Sequence, residues 1–431
     1  MLRISRLLRC VCAIALLAPV SAFAQSKDPR LAFLLVNLIQ ADVVLAPGGG
    51  HDAHFVPGAN QSLVPYLFNQ QIVAQTATFP IGSPTGGFAF TFDTASGTFQ
   101  RSTNSFGPSF ADRALTNGRG KLTLGANFQR SKYTSFEGQK LNSGGINFYL
   151  AHEDLPGDFF FEGDLVQAAL RLDLTSATST IFATYGVTNS FDLAVAIPVV
   201  RVTMDASIDA TVLRLATGQS SPIHAFPGGG SAKSFTESGE ATGIGDVLVR
   251  AKYRFAATAG GGLAAGVDVR LPSGEAEELL GTGAASATFT LIGSASRGKL
   301  GPHFNVGYST TGESDVTSLS NEFSYKIGTE LAASPKVTLS VDLLGRSLID
   351  AGRLQLASVE RRFRTAAGVA GSTSFQEYVP RSGALNIINM AVGGKINVTS
   401  NLLLNANVLV ALNKSGLTAR ITPVVGLDFT F

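Results

Sequence analysis

From about residue 119 to residue 431, large apolar side chains alternate with polar or charged ones at a period of two. The stretch "GIGDVLVRAKYRF" (243–255) shows how strong the constraint is. Val247, Val249, Ala251, Tyr253 and Phe255 fall on one face, and Asp246, Leu248, Arg250, Lys252 and Arg254 on the other. At helical spacing the three cations scatter round the axis and no apolar stripe survives. The segment is therefore a strand with one greasy and one charged face. The pattern recurs in "RGKLTLGANFQRSKY", "GLAAGVDVRL", "NEFSYKIGTEL", "NIINMAVGGKINV" and "LLLNANVLVAL". Strands of about ten residues with this dyad suit a tilted membrane-spanning strand.

The connections alternate in length. Short turns at 188–190, 256–261, 297–301, 333–336 and 399–401 are separated by long polar stretches near 213–242, 272–283, 311–320 and 350–384. Outer-membrane barrels have short periplasmic turns and long external loops in this order. Counting back from the C-terminus predicts fourteen strands, within a range of twelve to sixteen. One feature breaks the parity. The long stretch "HEDLPGDFFFEGD" (152–164) falls on the short-turn side, and "TSAT" (175–178), read as a tight turn, falls outside.

The first 24 residues read as an export signal: a basic start, an apolar run and a small-residue site ending at Ala24. Cys10 and Cys12 both lie in it, so thiol and disulfide chemistry are excluded from the mature chain. With Arg3, Arg6 and Arg9 in the leader, 30 of the 33 Lys and Arg remain against 31 Asp and Glu, net −1. No basic patch with interleaved aromatics points to nucleic acid. Charged residues make up 15 % of the sequence, well below the usual quarter, and 47 residues are glycine. No apolar run is long enough for a membrane-spanning helix, so any insertion must be as a closed sheet.

Residues 25–118 differ from the rest. "RLAFLLVNLIQADVVLAP" (30–47) reads as a helix with Leu31, Leu34, Leu35 and Leu38 on one stripe, or as a first strand interrupted by Asn37, Gln40 and Asp42. A hairpin is expected within 86–107, with Phe88, Phe90 and Phe92 aligned. The expected organisation is a signal peptide (1–24), an irregular N-terminal segment that plugs the barrel or sits in the periplasm (25–118), and an all-β transmembrane antiparallel barrel (119–431).

Motifs for chemistry are scarce. "HDAH" (51–54) has metal-like spacing but no third ligand nearby, and a solvated loop is the plainer reading. No nucleophile elbow, phosphate loop or zincin motif is present, and no catalytic residue, metal or cofactor is expected. The remaining constellation is the charge on the polar strand faces: Asp246, Arg250, Lys252, Arg254, Asp268, Arg270, Lys326, Glu330, Asp342 and Arg346. An Arg or Lys facing lipid near the midplane costs about 2–4 kcal/mol, so these must face a wet or paired interior. They either line a channel or form a cross-strand ion-pair network that holds the barrel.

The chain ends "ITPVVGLDFTF", with Ile421, Val425, Leu427, Phe429 and Phe431 on one face. Phe429 and the terminal Phe431 look like the assembly signal that bacterial outer-membrane proteins present to the barrel-assembly machinery. "TIFATYGVTNSFDLAVAIPVV" (180–200), "GIGDVLVRAKYRF" and "GVDVRLPSGE" (266–275) resemble the outer-membrane proteins named for the meta-cleavage pathway of phenol degradation. The resemblance implies a Gram-negative outer-membrane barrel that passes small hydrophobic or aromatic solutes, with lipid around it. It carries over no ligand-binding residue. The competing expectation is a structural or adhesive barrel with a closed lumen and partner-binding external loops. Oligomeric state is not specified by these features.

Overall fold

The computed structural model describes residues 30–43, 45–46, 63–80, 82–83, 87–93, 98–151, 163–218, 220, 223–314, 319–365, 367–399 and 401–431. The expected signal peptide and the "HDAH" loop lie outside them. Twelve strands close an antiparallel ring. In chain order the strands are β1 (Phe90–Asp93), β2 (Thr98–Arg101), β3 (Leu122–Tyr133), β4 (Ile146–Ala151), β5 (Leu165–Gly186) and β6 (Phe191–Leu213). There follow β7 (Ala232–Ile244), β8 (Leu248–Thr258), β9 (Gly261–Arg270), β10 (Ser286–Ser294), β11 (Leu300–Thr311) and β12 (Glu322–Ser334). The last six are β13 (Val337–Leu348), β14 (Arg353–Arg364), β15 (Ala370–Arg381), β16 (Leu385–Thr399), β17 (Leu402–Ala411) and β18 (Ile421–Thr430). The ring runs β3, β18, β17, β16, β13, β12, β11, β10, β9, β8, β6 and β5, and closes where β5 meets β3.

The barrel is inside-out. Along β8 the apolar Val249, Tyr253 and Phe255 are exposed, while Lys252 between them is only 2 % exposed. On β13, exposed Leu339, Val341 and Leu343 alternate with buried Ser340, Asp342 and Leu344. An apolar exterior over a closed, fully paired sheet is the arrangement lipid demands. With no tryptophan in the chain, Phe and Tyr supply the outer aromatic belt. Phe289, Tyr308 and Phe323 stand side by side across β10, β11 and β12, all outward. Toward the other end, Tyr185, Tyr253, Phe255 and Phe431 face outward. This is an outer-membrane β-barrel.

The count of twelve corrects the expected fourteen, and the reason is local. "TSAT" (175–178) is not a turn; it sits in the middle of β5, a single strand of 22 residues. Thr, Ser and Ala suit an extended chain as well as a bend, and here β3 and β6 pair with all four of these residues. β4 pairs only with the outer part of β5 and lies outside the ring. β5 and β6 run past the rim on the long-loop side. There, β4 and β7 flank them in a four-stranded external sheet. β14 and β15 form a separate hairpin on the same side.

The N-terminal segment enters from that external side. Residues 31–42 are helical in three short pieces (Leu31–Phe33, Leu34–Asn37, Leu38–Asp42), not a strand. Leu31, Leu34, Leu35 and Leu38 are all buried in one cluster with Leu170, Met204 and Ile208 from the external sheet. A longer helix, α1 (Leu63–Ala77), buries Phe68 and Ile72 in the same cluster. Arg30 pairs with Glu277 in the external loop after β9. Residues 30–43 therefore lie on the long-loop side of the ring, against the sheet formed by β4 to β7. From Thr78 the chain descends through the barrel. The β1–β2 hairpin lies near the short-turn end, where Phe88 and Phe106 pack on Leu403. The side chain of Phe92 is outside the described residues. Asn117 meets Asp192 near the start of β6, and β3 begins.

Candidate functional site

The described residues between Thr78 and Asn117 lie inside the lumen, and the inward strand charges grip them. Arg250 on β8 pairs with Asp268 on β9 and, at 2.7 Å, with Asp112 of the segment. Lys252 donates to the carbonyls of Leu115 at 2.7 Å and Arg113 at 3.4 Å, and lies 3.8 Å from Asp192. Lys326 on β12 donates to the Phe110 carbonyl at 2.8 Å. Glu330 accepts from the Ser105 hydroxyl at 2.7 Å and lies 3.6 Å from Arg113. Arg346 on β13 binds Glu322 and also donates to the Thr78 carbonyl at 2.9 Å. Arg270 reaches the Ala77 carbonyl at 3.4 Å.

The other members of the set are placed differently. The Asp246 carboxylate receives the N–H groups of Gly274 and Thr282 and so ties down the external loop after β9. Arg254 donates to the Asn189 carbonyl in the short turn between β5 and β6. Asp342 meets His303 of β11 at 2.7 Å, inside the barrel wall. Gly328 lies opposite Asp342 in the register, and any side chain there would strike the Asp342–His303 pair. Phe429 and Phe431 stack edge-on at 4.7 Å at the short-turn end.

Several gripping residues carried no signal in the sequence. Asp112 and Arg113 sit in an irregular segment with no period, and Asn305 exchanges two hydrogen bonds with the Asp112 backbone, at 2.7 and 2.9 Å. Asp192 and Thr338 serve as acceptors for the segment's N–H groups at Asn117 and Phe106. Asp192 and Asn305 do fall on polar faces, so the alternation places them inward without naming a partner.

Above this seat, a cavity of about 200 Å³ remains between the segment and the wall formed by β8 to β13. Phe79, Leu248, Leu344 and Leu348 supply its apolar surface. Arg250, Arg270, Lys326 and Arg346 supply cations, and Asp268 and Glu322 the carboxylates. Its floor is the layer holding Lys326 and Arg250. Its upper lining includes Thr311, the last residue of β11, and Ser320, in the loop before β12. A second apolar cluster inside the barrel joins Phe110 to Leu344, Ala391, Leu409 and Val424, with Phe79 against it.

On the external side, Asp164 is buried at the head of β5. Its carboxylate accepts the N–H groups of Ala216 and Thr217 and the Thr217 hydroxyl, and meets His224 Nδ1 at 2.9 Å. Burial alone would raise this carboxyl, but the His224 and Thr217 contacts outweigh it and hold it below the usual carboxylate range.

These features define an outer-membrane β-barrel with part of its own N-terminal segment packed inside the lumen. Residues 162–345 match the family model described as "Putative MetA-pathway of phenol degradation", a range that contains the three resembling stretches between 180 and 275. No curated protein matches the chain significantly in sequence. Among solved structures, an outer membrane channel from Pseudomonas putida F1 is similar at 12 % identity and a TM-score of 0.44, over 74 % of this chain and 97 % of that one. A FadL homologue from Pseudomonas aeruginosa aligns at 10 % identity and 0.31, over 74 % and 91 %. The toluene transporter TbuX from Ralstonia pickettii aligns at 9 % identity and 0.29, over 73 % and 90 %. These scores are too low for any of the three to bear on how this barrel works.

Proposed function

We propose that the protein is a passive outer-membrane channel for small hydrophobic or aromatic solutes, gated by residues 78–117. The carrying observation is the cavity of about 200 Å³, which reaches from the external rim and stops on that segment. Among the described residues, the contacts between segment and wall are hydrogen bonds, ion pairs and apolar packing, so the segment can be displaced without breaking a covalent bond. The matched family's description, which refers to phenol degradation, supports aromatic cargo. Asp246, Arg250, Lys252, Arg254, Asp268, Arg270, Lys326, Glu330, Asp342 and Arg346 then serve two ends. Some hold the gate, and the remainder hold the wall or the external loop.

The competing reading is a structural barrel that stays shut, and the external sheet with its sealed apolar cluster favours it. A cysteine pair separates the two. The Ala114 N–H donates to Ser294 Oγ at 3.0 Å, so A114C and S294C face each other across the gate. In vesicles, the reduced double variant should pass small aromatics and the oxidised one should not. Equal impermeability of both forms and of the wild type, with folding confirmed by heat-dependent gel migration, would leave the structural barrel.

A further inference from the structure

The charges round the cavity do not balance, and the imbalance identifies a ligand. Arg250 is neutralised by Asp268 and Asp112, and Arg346 by Glu322. Arg270 and Lys326 also line the cavity, yet among the described residues neither forms an ion pair. The only hydrogen-bond acceptor that each reaches among the described residues is a main-chain carbonyl, of Ala77 and of Phe110, while Asp246 and Asp112, the foremost carboxylates acting on them, stay beyond ion-pair distance. A cation taken out of bulk water against a carbonyl alone is poorly compensated, and the natural remedy is an anion. Arg270 in particular presents five donors, and its single contact at 3.4 Å leaves most of them aimed elsewhere.

The rest of the wall restricts what that anion can be. Phe79, Leu248, Leu344 and Leu348 form an apolar surface that a bare inorganic ion would leave uncovered. A dry cavity of roughly 150 Å³ accepts one benzene ring, so about 200 Å³ holds one ring with a small substituent. A planar carboxylate also matches the fork of a guanidinium. We propose that the cavity binds a monocyclic aromatic carboxylate, its ring on the Phe79–Leu344 side and its carboxylate between Arg270 and Lys326. This rests on the channel reading in that the site is the solute's first stop from outside.

Binding is measured on the purified, folded full chain in detergent by calorimetry, with benzoate, benzamide and benzamidine as probes. These share a ring and differ in charge. Benzoate should bind at least about tenfold more tightly than benzamide, and benzamidine should not bind, because the discriminating contact is a charge-assisted hydrogen bond. R270Q and K326Q should each bring the ratio of benzoate to benzamide affinity close to one. Chloride at equal concentration should not displace benzoate. Equal affinity for benzoate and benzamide, displacement by chloride, no benzoate binding, or benzoate binding unaltered in both variants would each overturn the assignment. Benzoate bound but never passed in vesicles would end the channel reading and leave the site standing.

Discussion

The ammonium of Lys252 donates to the main-chain carbonyl of Leu115 at 2.7 Å, in the middle of a barrel strand whose other face meets lipid. The inward face of the strand is thus bonded to the segment inside the barrel, and under the proposed gating Lys252 acts as a latch. Replacing it with methionine keeps the length and removes the donor. A hydrogen bond to a charged group contributes about 1.5–3 kcal/mol, so Lys252→Met should raise the open fraction roughly tenfold or more. Planar-bilayer recordings would register this as more frequent openings, with gel migration before and after boiling unchanged. Conductance identical to wild type would show that Lys252 does not hold the gate.

Register on the same strand is tested by neighbours. Val249 is outward and exposed, whereas Leu248 lines the cavity. Val249→Arg should cost about 2–4 kcal/mol if it lies near the midplane. Leu248→Arg points into a partly polar interior and should assemble better. The folded fraction recovered from outer membranes gives the comparison, and equal defects would contradict the inside-out assignment.

Gly345 makes room for an aromatic ring. A Cβ built there would lie 2.1 Å from Cζ of Tyr325, its cross-strand partner. Even alanine must push the ring aside, and overpacking of this kind costs about 1–3 kcal/mol. Gly345→Ala should lower the urea midpoint for unfolding in detergent, and pairing it with Tyr325→Ala should recover most of the loss. Failure of the second change to compensate would mean the ring is not what the glycine accommodates.

Asp164 ties acid stability to the external sheet. Its native carboxyl titrates below the ordinary value near 3.9. Its contribution is therefore fully present above that ordinary value and is lost as pH falls through the lower native one. Protease resistance of the external region should hold from pH 7 to about 5 and decline below about 4. Asp164→Asn should begin lower at pH 7 and lose less on acidification. Parallel acid curves for the two proteins would assign the decline to other carboxylates.

The side on which the N-terminal residues lie can be read by labelling. Arg30 pairs with Glu277 in an external loop, and Cys10 and Cys12 precede the expected cleavage after Ala24. Arg30→Cys should react with a membrane-impermeant maleimide on intact cells. Labelling only after the outer membrane is breached would place this end in the periplasm.

Alternation along each strand was enough to establish that the chain is a barrel, which face meets lipid, and where the short turns lie. The reason is geometric: a period of two is a local property, and lipid on one side leaves no other arrangement for Val249 beside Lys252. Strand number was less accessible. "TSAT" has the composition of a turn, and only pairing along the whole of β5 with β3 and β6 keeps it extended. The organisation of residues 30–117 was least legible, because a segment held by the walls of a tube needs no period of its own. Asp112 is positioned by Arg250 and Asn305, which follow it by well over a hundred residues. The contacts that Arg250 and Lys252 make with the segment inside the barrel could not be read from the chain, since such pairs form by proximity in space and leave no spacing in the sequence.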